Sequence, residues 1–253
     1  MSVSAVGGGS GYYGQIASGK AIQSAADGAA EKTIIEGQTA QINGYDVGAD
    51  NAKDGQNLLK VADGALDGVS EQLERMRELA VQASNTAVLS DSDRQMIQGE
   101  IEQIKQSISS IASNTEFNTK KLLDGSFTGQ HIASGPDGDG QTIDIGSAAL
   151  DALGIKDFDV TGNFDIGVID QALSKVSSTR SDIGAQSNAL DYTINYNSIA
   201  SLNLTKSRSQ MEDADIAEAA SELKKQRTLQ DYQLMVQKKK MEAEQKKLNV
   251  FQI

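Results

Sequence analysis

The sequence predicts a mainly α protein: an elongated antiparallel helical bundle of long helices with a small β-hairpin region and a further C-terminal helix. Three observations predict it. Apolar residues recur at alternating spacings of three and four from Ile42 to Ala83, the seam of a coiled coil or long bundle helix. Isoleucines repeat in the same rhythm from Ile97 to Ile111. The 253 residues contain one proline, Pro136, near the middle, so long helices are permitted on both sides of it. Composition agrees, with 38% hydrophobic residues, 4% aromatic and no Trp. Thin bundles with Ala, Leu and Ile seams need fewer large apolar side chains than a round core does.

Residues 1–16 open with MSVSAVGGGSGYYG and read as a flexible Gly/Ser-rich arm. They hold neither a basic n-region nor an apolar h-region, which argues against a cleaved secretory signal and leaves export without cleavage open. The first long helix is expected over about 32–86, with Ile42, Tyr45, Ala49, Ala52, Gln56, Leu59, Ala62, Leu66, Val69, Leu73, Met76, Ala80 and Ala83 on its seam. The stretch 42–83 would be roughly 60 Å long at 1.5 Å per residue. Gly44, Gly48, Gly55, Gly64 and Gly68 weaken it, by about 1 kcal/mol each relative to Ala, and allow another backbone to come close. Ser90 with Asp93 makes a capping-box pattern that starts a second helix over about 91–113. A short loop folds it antiparallel onto the first.

Gly, Asp and Thr then rise, and QHIASGPDGDGQTIDIGS reads as a hairpin around PDGDG, within a β-hairpin region over about 128–167. The helical period returns over about 168–212, with Leu173, Val176, Ile183, Leu190, Ile194, Leu204 and Met211. Arg180, Ser187, Asn197, Ser201 and Arg208 also fall on this seam, polar positions that set register at a cost in stability. Residues 17–212 thus form one rod domain. The last segment, 213–253, is helical in period with a thin apolar stripe of Ile216, Ala220, Leu223, Leu234, Met241 and Leu248.

Several chemistries come close and fail. There is no Cys, hence no disulfide or thiolate metal site. No run of about 18 apolar residues is present, so no helical membrane insertion is expected. GQIASGKA (14–21) resembles a phosphate loop but carries Ala21 where magnesium needs Ser or Thr, and no strand precedes it. Asp137, Asp139 and Asp144 lack the spacing and terminal Glu of a calcium loop. His131 is the sole His and has no catalytic partner motif. We therefore expect no enzyme, no cofactor and no metal. Net charge is −12, yet residues 224–247 hold eight Lys or Arg against three acids. The acidic remainder argues against nucleic-acid binding, and the lysines read as a solvated helical face. Within ERMRELAVQASNT (74–86), Arg75, Leu79 and Gln82 at i, i+4 and i+7 share a stripe. It could serve packing within the chain, contact with other copies, or recognition by another molecule.

Long, ordered blocks resemble bacterial flagellin. They are GQIASGKAIQSAADGAA, NAKDGQNLLKVADGALDGVSEQLERMRELAVQASNT, SIASNTEFNTKKLLDG, IDQALSKVSSTRSDIGAQSNALDYTINYN and SRSQMEDADIAEAASEL. The resemblance covers about 14–128 and 168–223. It implies a rod of three helices with a β-hairpin, stacked against sister subunits, and an inner layer built from the two chain ends. It implies a structural subunit of the bacterial flagellar filament, extracellular, in a homopolymer or mixed filament. It also implies service by the flagellar export apparatus and a chaperone, and binding by the flagellin-sensing Toll-like receptor of animal hosts. By match of motif, Arg75, Leu79 and Gln82, with Glu100 on the next helix, would form the subunit or receptor contact, Leu79 as an apolar anchor. Two departures stand out. Fewer residues than usual precede Ala17-Ser18-Gly19, and the C-terminal helix is Lys-rich. They keep open a flagellin-like or hook–filament junction protein that is secreted without forming a filament alone. A cytoplasmic coiled-coil scaffold is the third reading, and the quoted blocks argue against it.

Overall fold

A computed structural model describes residues 9–250, with side chains from 11 to 245. The elements in order are α1 (Gly9–Ser18), α2 (Ala29–Ala83), α3 (Asp91–Asn114), β1 (Glu116–Phe117), β2 (Lys120–Lys121), β3 (Gln130–Ala133), β4 (Gly140–Ile143), α4 (Leu150–Leu153), α5 (Gly167–Glu212) and α6 (Ile216–Val250). The chain is mainly α, with two small antiparallel strand pairs. It divides into two compact units, one of residues 43–201 and one of residues 1–42 with 202–253. That division differs from the boundaries expected at 16 and 212, because the two chain ends cluster with each other.

In the central unit, Leu59, Leu66, Leu73 and Met76 of α2 are fully buried with Ile101 and Ile108 of α3. Ile169, Val176, Ile183 and Leu190 of α5 join the same cluster. The polar seam positions of α5 find partners. Arg180 donates to Asp63 (2.9 Å) and Asp67 (2.7 Å), and Gln56 donates to the Ser187 carbonyl (3.1 Å). With Arg77 on Asp170 (2.7 Å), these pairs fix an antiparallel register between α2 and α5. Ser90 starts α3 as the sequence predicts: its hydroxyl accepts from Asp93 N–H (3.2 Å), and Asp93 accepts from Ser90 N–H (2.8 Å).

The hairpin pairs Gln130 with Ile143 and Ala133 with Gly140, across a turn in which Gly138 has φ +82°. Its turn lies directly on helix backbone. A Cβ at Gly48 would sit 2.4 Å from the Ser134 carbonyl oxygen, and one at Gly44 2.8 Å from Pro136 Cα. The close approach expected of the α2 glycines therefore occurs at these two. Buried Asn197 donates to the Ser134 carbonyl (2.6 Å), and Asn51 to the Ala133 carbonyl (2.7 Å), which pins the turn.

The chain-end unit is built differently. The expected arm over 1–16 is corrected in its second half: residues 9–16 belong to α1, and residues 1–8 lie outside the described residues. Gly and Ser disfavour a helix, but Tyr12 and Ile16, four apart and half-buried, share one face of α1, which packs on α6. The Arg227 guanidinium lies 5.1 Å from the Tyr13 ring centre. The two inter-helix links are strapped together. Ala21 N–H donates to the Glu212 carbonyl (2.7 Å), Ala214 N–H to the Gly19 carbonyl (2.9 Å), and Lys20 pairs with the buried Glu212 carboxylate (2.6 Å). Among the described hydrophobic residues of this unit, only Ile35, Ile42 and Ala219 are buried.

Candidate interaction surface

The four residues singled out from the sequence separate in the structure. Successive residues of a helix turn by about 100°, and the α2 seam runs through Leu73, Met76, Ala80 and Ala83. Leu79 lies on the flank of that seam; Arg75 and Gln82 lie roughly 40° and 60° further round. Burial follows this geometry. Leu79 is 2% exposed and belongs to the same apolar cluster as Ile97 and Ile101, whereas Arg75, Gln82 and Glu100 are on the surface. Leu79 is thus a core residue of the subunit, and its expected role as an exposed apolar anchor is corrected.

Arg75 is the centre of what remains. Its Nε and Nη2 donate to Glu100 Oε1 at 3.1 and 2.7 Å, and its Nη1 donates to Glu78 Oε2 at 2.9 Å. One guanidinium therefore ties α2 to α3 and also to its own next turn. The hydrogen bond to Glu100, then that to Glu78, raises the Arg75 pKa above its ordinary value. The side chains keep about half of their surface in water, so the pairing fixes geometry more than it stabilises the fold. Glu78 was not singled out in the sequence. Its position three residues after Arg75 on a helix is the signal that finds it.

A buried cation on α3 was also not foreseen. Lys105 Nζ donates to Glu102 Oε1 (2.9 Å) and to the Lys156 and Phe158 carbonyls (3.0 and 2.6 Å), using all three of its protons. It clamps the segment after α4 onto α3. Its only trace in the sequence is a Lys beside the Ile104 seam position.

The near-miss motifs resolve into structural parts. Gly19 has φ +71° and its N–H returns to the Gln15 carbonyl (2.8 Å), ending α1, while Lys20 is taken by Glu212. Asp137 and Asp139 sit in the hairpin turn, and Asp144 accepts from Gly129 N–H. His131 is exposed, with Nε2 3.1 Å from the Gly138 carbonyl. On α6, the side chains of Lys224, Lys225 and Lys238–Lys240 are exposed, and those of Lys246 and Lys247 lie outside the described side chains. Among the described residues no helix is long and apolar enough to cross a membrane.

Comparison with known proteins matches this layout. The bacterial flagellin N-terminal helical region matches residues 9–128, and the bacterial flagellin C-terminal helical region matches residues 166–249. Flagellin of Bacillus subtilis (strain 168) is 35% identical over 278 residues, spanning 94% of this chain and 90% of the relative. A flagellar filament core protein of Brachyspira hyodysenteriae is 32% identical over 85% of this chain and 82% of its own length. Among solved structures, Bacillus cereus flagellin superposes with a TM-score of 0.50 at 30% identity, over 58% of this chain and 88% of that one.

Proposed function

The chain belongs to the bacterial flagellins, and from that premise we propose how its two compact units divide the work of a filament subunit. Flagellins are structural proteins that polymerise with other flagellin copies into the extracellular flagellar filament, and this chain is such a subunit. The chain-end unit supplies the assembly surface. One observation carries this reading: Tyr13, Ile34, Leu229, Tyr232, Leu234 and Met241 are all exposed in a unit whose described residues include three buried hydrophobic ones. Such faces are covered when copies stack, and a head-to-tail contact between different patches repeats into a helical filament. The subunit reaches the outside through the flagellar export apparatus with a chaperone. The Arg75–Glu100 surface, with Gln82, is offered to a neighbouring subunit or to the flagellin-sensing Toll-like receptor. The exposed, pre-oriented guanidinium supports that role, because charge-assisted hydrogen bonds are strong and directional.

Seeded polymerisation followed by electron microscopy tests the assembly reading. Wild-type protein is expected to form filaments, and Leu234→Asp with Met241→Asp to stay monomeric while remaining helical. Filaments from the double variant, or a wild type that ignores seeds, would overturn it. For recognition, Arg75→Glu with Gln82→Ala is expected to lower receptor signalling by about tenfold or more. Unchanged signalling removes the receptor from the proposal.

A further inference from the structure

Beside the hairpin turn, the central unit carries an aromatic, acidic cleft whose lining residues are separate from the assembly and Arg75 surfaces proposed above. Tyr45 of α2 and Tyr196 of α5 meet edge to face, ring centres 6.1 Å apart at 76°. Tyr192, one turn away on α5, is 77% exposed, and Tyr196 is 62% exposed. Asp137 and Asp139 line the same cleft from the turn, with Gln141 and Thr193 on its floor. The neighbouring Tyr196, then burial, pushes the Tyr45 hydroxyl above its ordinary value, and both carboxylates add to the rise. The turn beside the cleft packs on Gly44 and Gly48 and accepts hydrogen bonds from Asn51 and Asn197.

Its charge is one-sided. The three segments that build it, 43–52, 132–143 and 188–201, contain Asp46, Asp50, Asp137, Asp139 and Asp191 and no Lys, Arg or His. The basic groups next to these segments are already engaged: Lys53 pairs with Asp50 at 2.9 Å, and His131 faces the Gly138 carbonyl. Exposed tyrosine faces attract cations through their ring quadrupole, and nearby carboxylates reinforce the pull. We propose that this cleft binds a Lys- or Arg-rich segment of a partner protein, its cationic heads set over Tyr196 and against Asp137 and Asp139, with exposed Tyr192 extending the surface one turn along α5. A neutral sugar could stack on the same rings but would gain nothing from the uncompensated carboxylates. Anionic membranes and nucleic acids would be repelled by them.

The test is fluorescence anisotropy of a labelled hexalysine peptide with full-length protein kept monomeric at low concentration. Tyr192→Ala with Tyr196→Ala, and separately Asp137→Asn with Asp139→Asn, are expected to weaken binding by about fivefold or more. Glu71→Gln with Glu74→Gln removes the same charge from an exposed stretch of α2 and is expected to leave binding within about twofold. Acetylating the peptide's lysines is expected to abolish binding. Circular dichroism checks that each variant keeps its helices. Equal weakening by the Glu71/Glu74 control, tighter binding of chitohexaose than of hexalysine, or no binding by wild type would each overturn the proposal.

Discussion

The central unit and the chain-end unit are written in the same helical rhythm, yet they solve the burial problem in opposite ways. In the central unit the apolar seam of α2 meets isoleucines from α3, apolar residues from α5, and Leu122, Leu123, Ile143 and Ile155 from the segments between them. Each seam finds its cover inside the chain. In the chain-end unit, α6 carries Leu229, Leu234 and Met241 on its surface, and its charge is Lys-rich. Periodicity alone therefore reports that a helix has an apolar face; it does not say which molecule covers it. A covered seam makes a subunit stable by itself, whereas an uncovered one ties stability to assembly.

The largest expected effect breaks the two units apart. Leu66 is 1% exposed, and Leu66→Ala should cost the isolated subunit about 2–5 kcal/mol in chemical denaturation, through lost transfer energy plus a cavity. Leu234 is 63% exposed, and Leu234→Ala should stay within about 0.5 kcal/mol for the monomer. Equal losses in the monomer would mean that α6 is covered within the chain after all.

Two glycines of α2 sharpen the same contrast at single-atom scale. Gly48 lies under the hairpin turn, and a methyl group there would meet the Ser134 carbonyl at 2.4 Å, backbone that cannot step aside cheaply. Gly48→Ala should therefore destabilise by about 1–3 kcal/mol. At Gly64 nothing lies within 4 Å of the added carbon. Gly64→Ala should stabilise by up to about 1 kcal/mol, since Ala is the better helix former. The opposite signs, read from urea midpoints, are the test. Two losses of equal size would show that both positions are packed against something.

What could be read in advance follows from this contrast. The α2 and α3 seams were legible because the spacing of three and four persists, in isoleucines along α3 and in alanines and leucines along α2. The hairpin was legible because Asp137-Gly138 and its neighbours allow few other conformations, and Ser90 with Asp93 announced α3. Helix α1 was not, because its Gly-rich residues fold only against α6, a contact far away in sequence. The β1–β2 pair is two residues per strand around Asn118 and Thr119, both at positive φ, too short to leave a period. At the candidate surface, Arg75 and Glu100 were marked in the sequence only as contact residues on neighbouring helices, and their pairing with each other is a finding of the structure. Leu79 was not resolved, because a residue on the flank of a seam is core or surface depending on whether a second helix reaches it. Lys105 was illegible for a related reason: its acceptors are backbone carbonyls, which no sequence pattern marks.

The smallest expected effect tests a local signal that needs neither unit's tertiary cover. The Ser90 hydroxyl donates to Asp93, with the Ser90 N–H as a second donor, and together they hold the Asp93 carboxyl below its ordinary value. Ser90→Ala removes the hydroxyl, and at neutral pH should cost about 1 kcal/mol of stability, the usual worth of such a cap. The sign with pH is fixed. A carboxyl whose pKa is depressed in the folded state contributes fully above the unfolded value of about 3.9, and loses that contribution as pH falls through the lower folded value. The gap between wild type and Ser90→Ala should therefore narrow as pH drops from 7 toward 3. It should not vanish, because the bond from Asp93 N–H to the Ser90 hydroxyl survives protonation of the carboxyl. Taking the difference between two proteins cancels the other depressed carboxyls, Asp27, Asp124 and Asp159, which titrate alike in both. A gap that stays constant over that pH range would mean that the Asp93 half of the capping box contributes nothing, and that α3 is held at its start by packing alone.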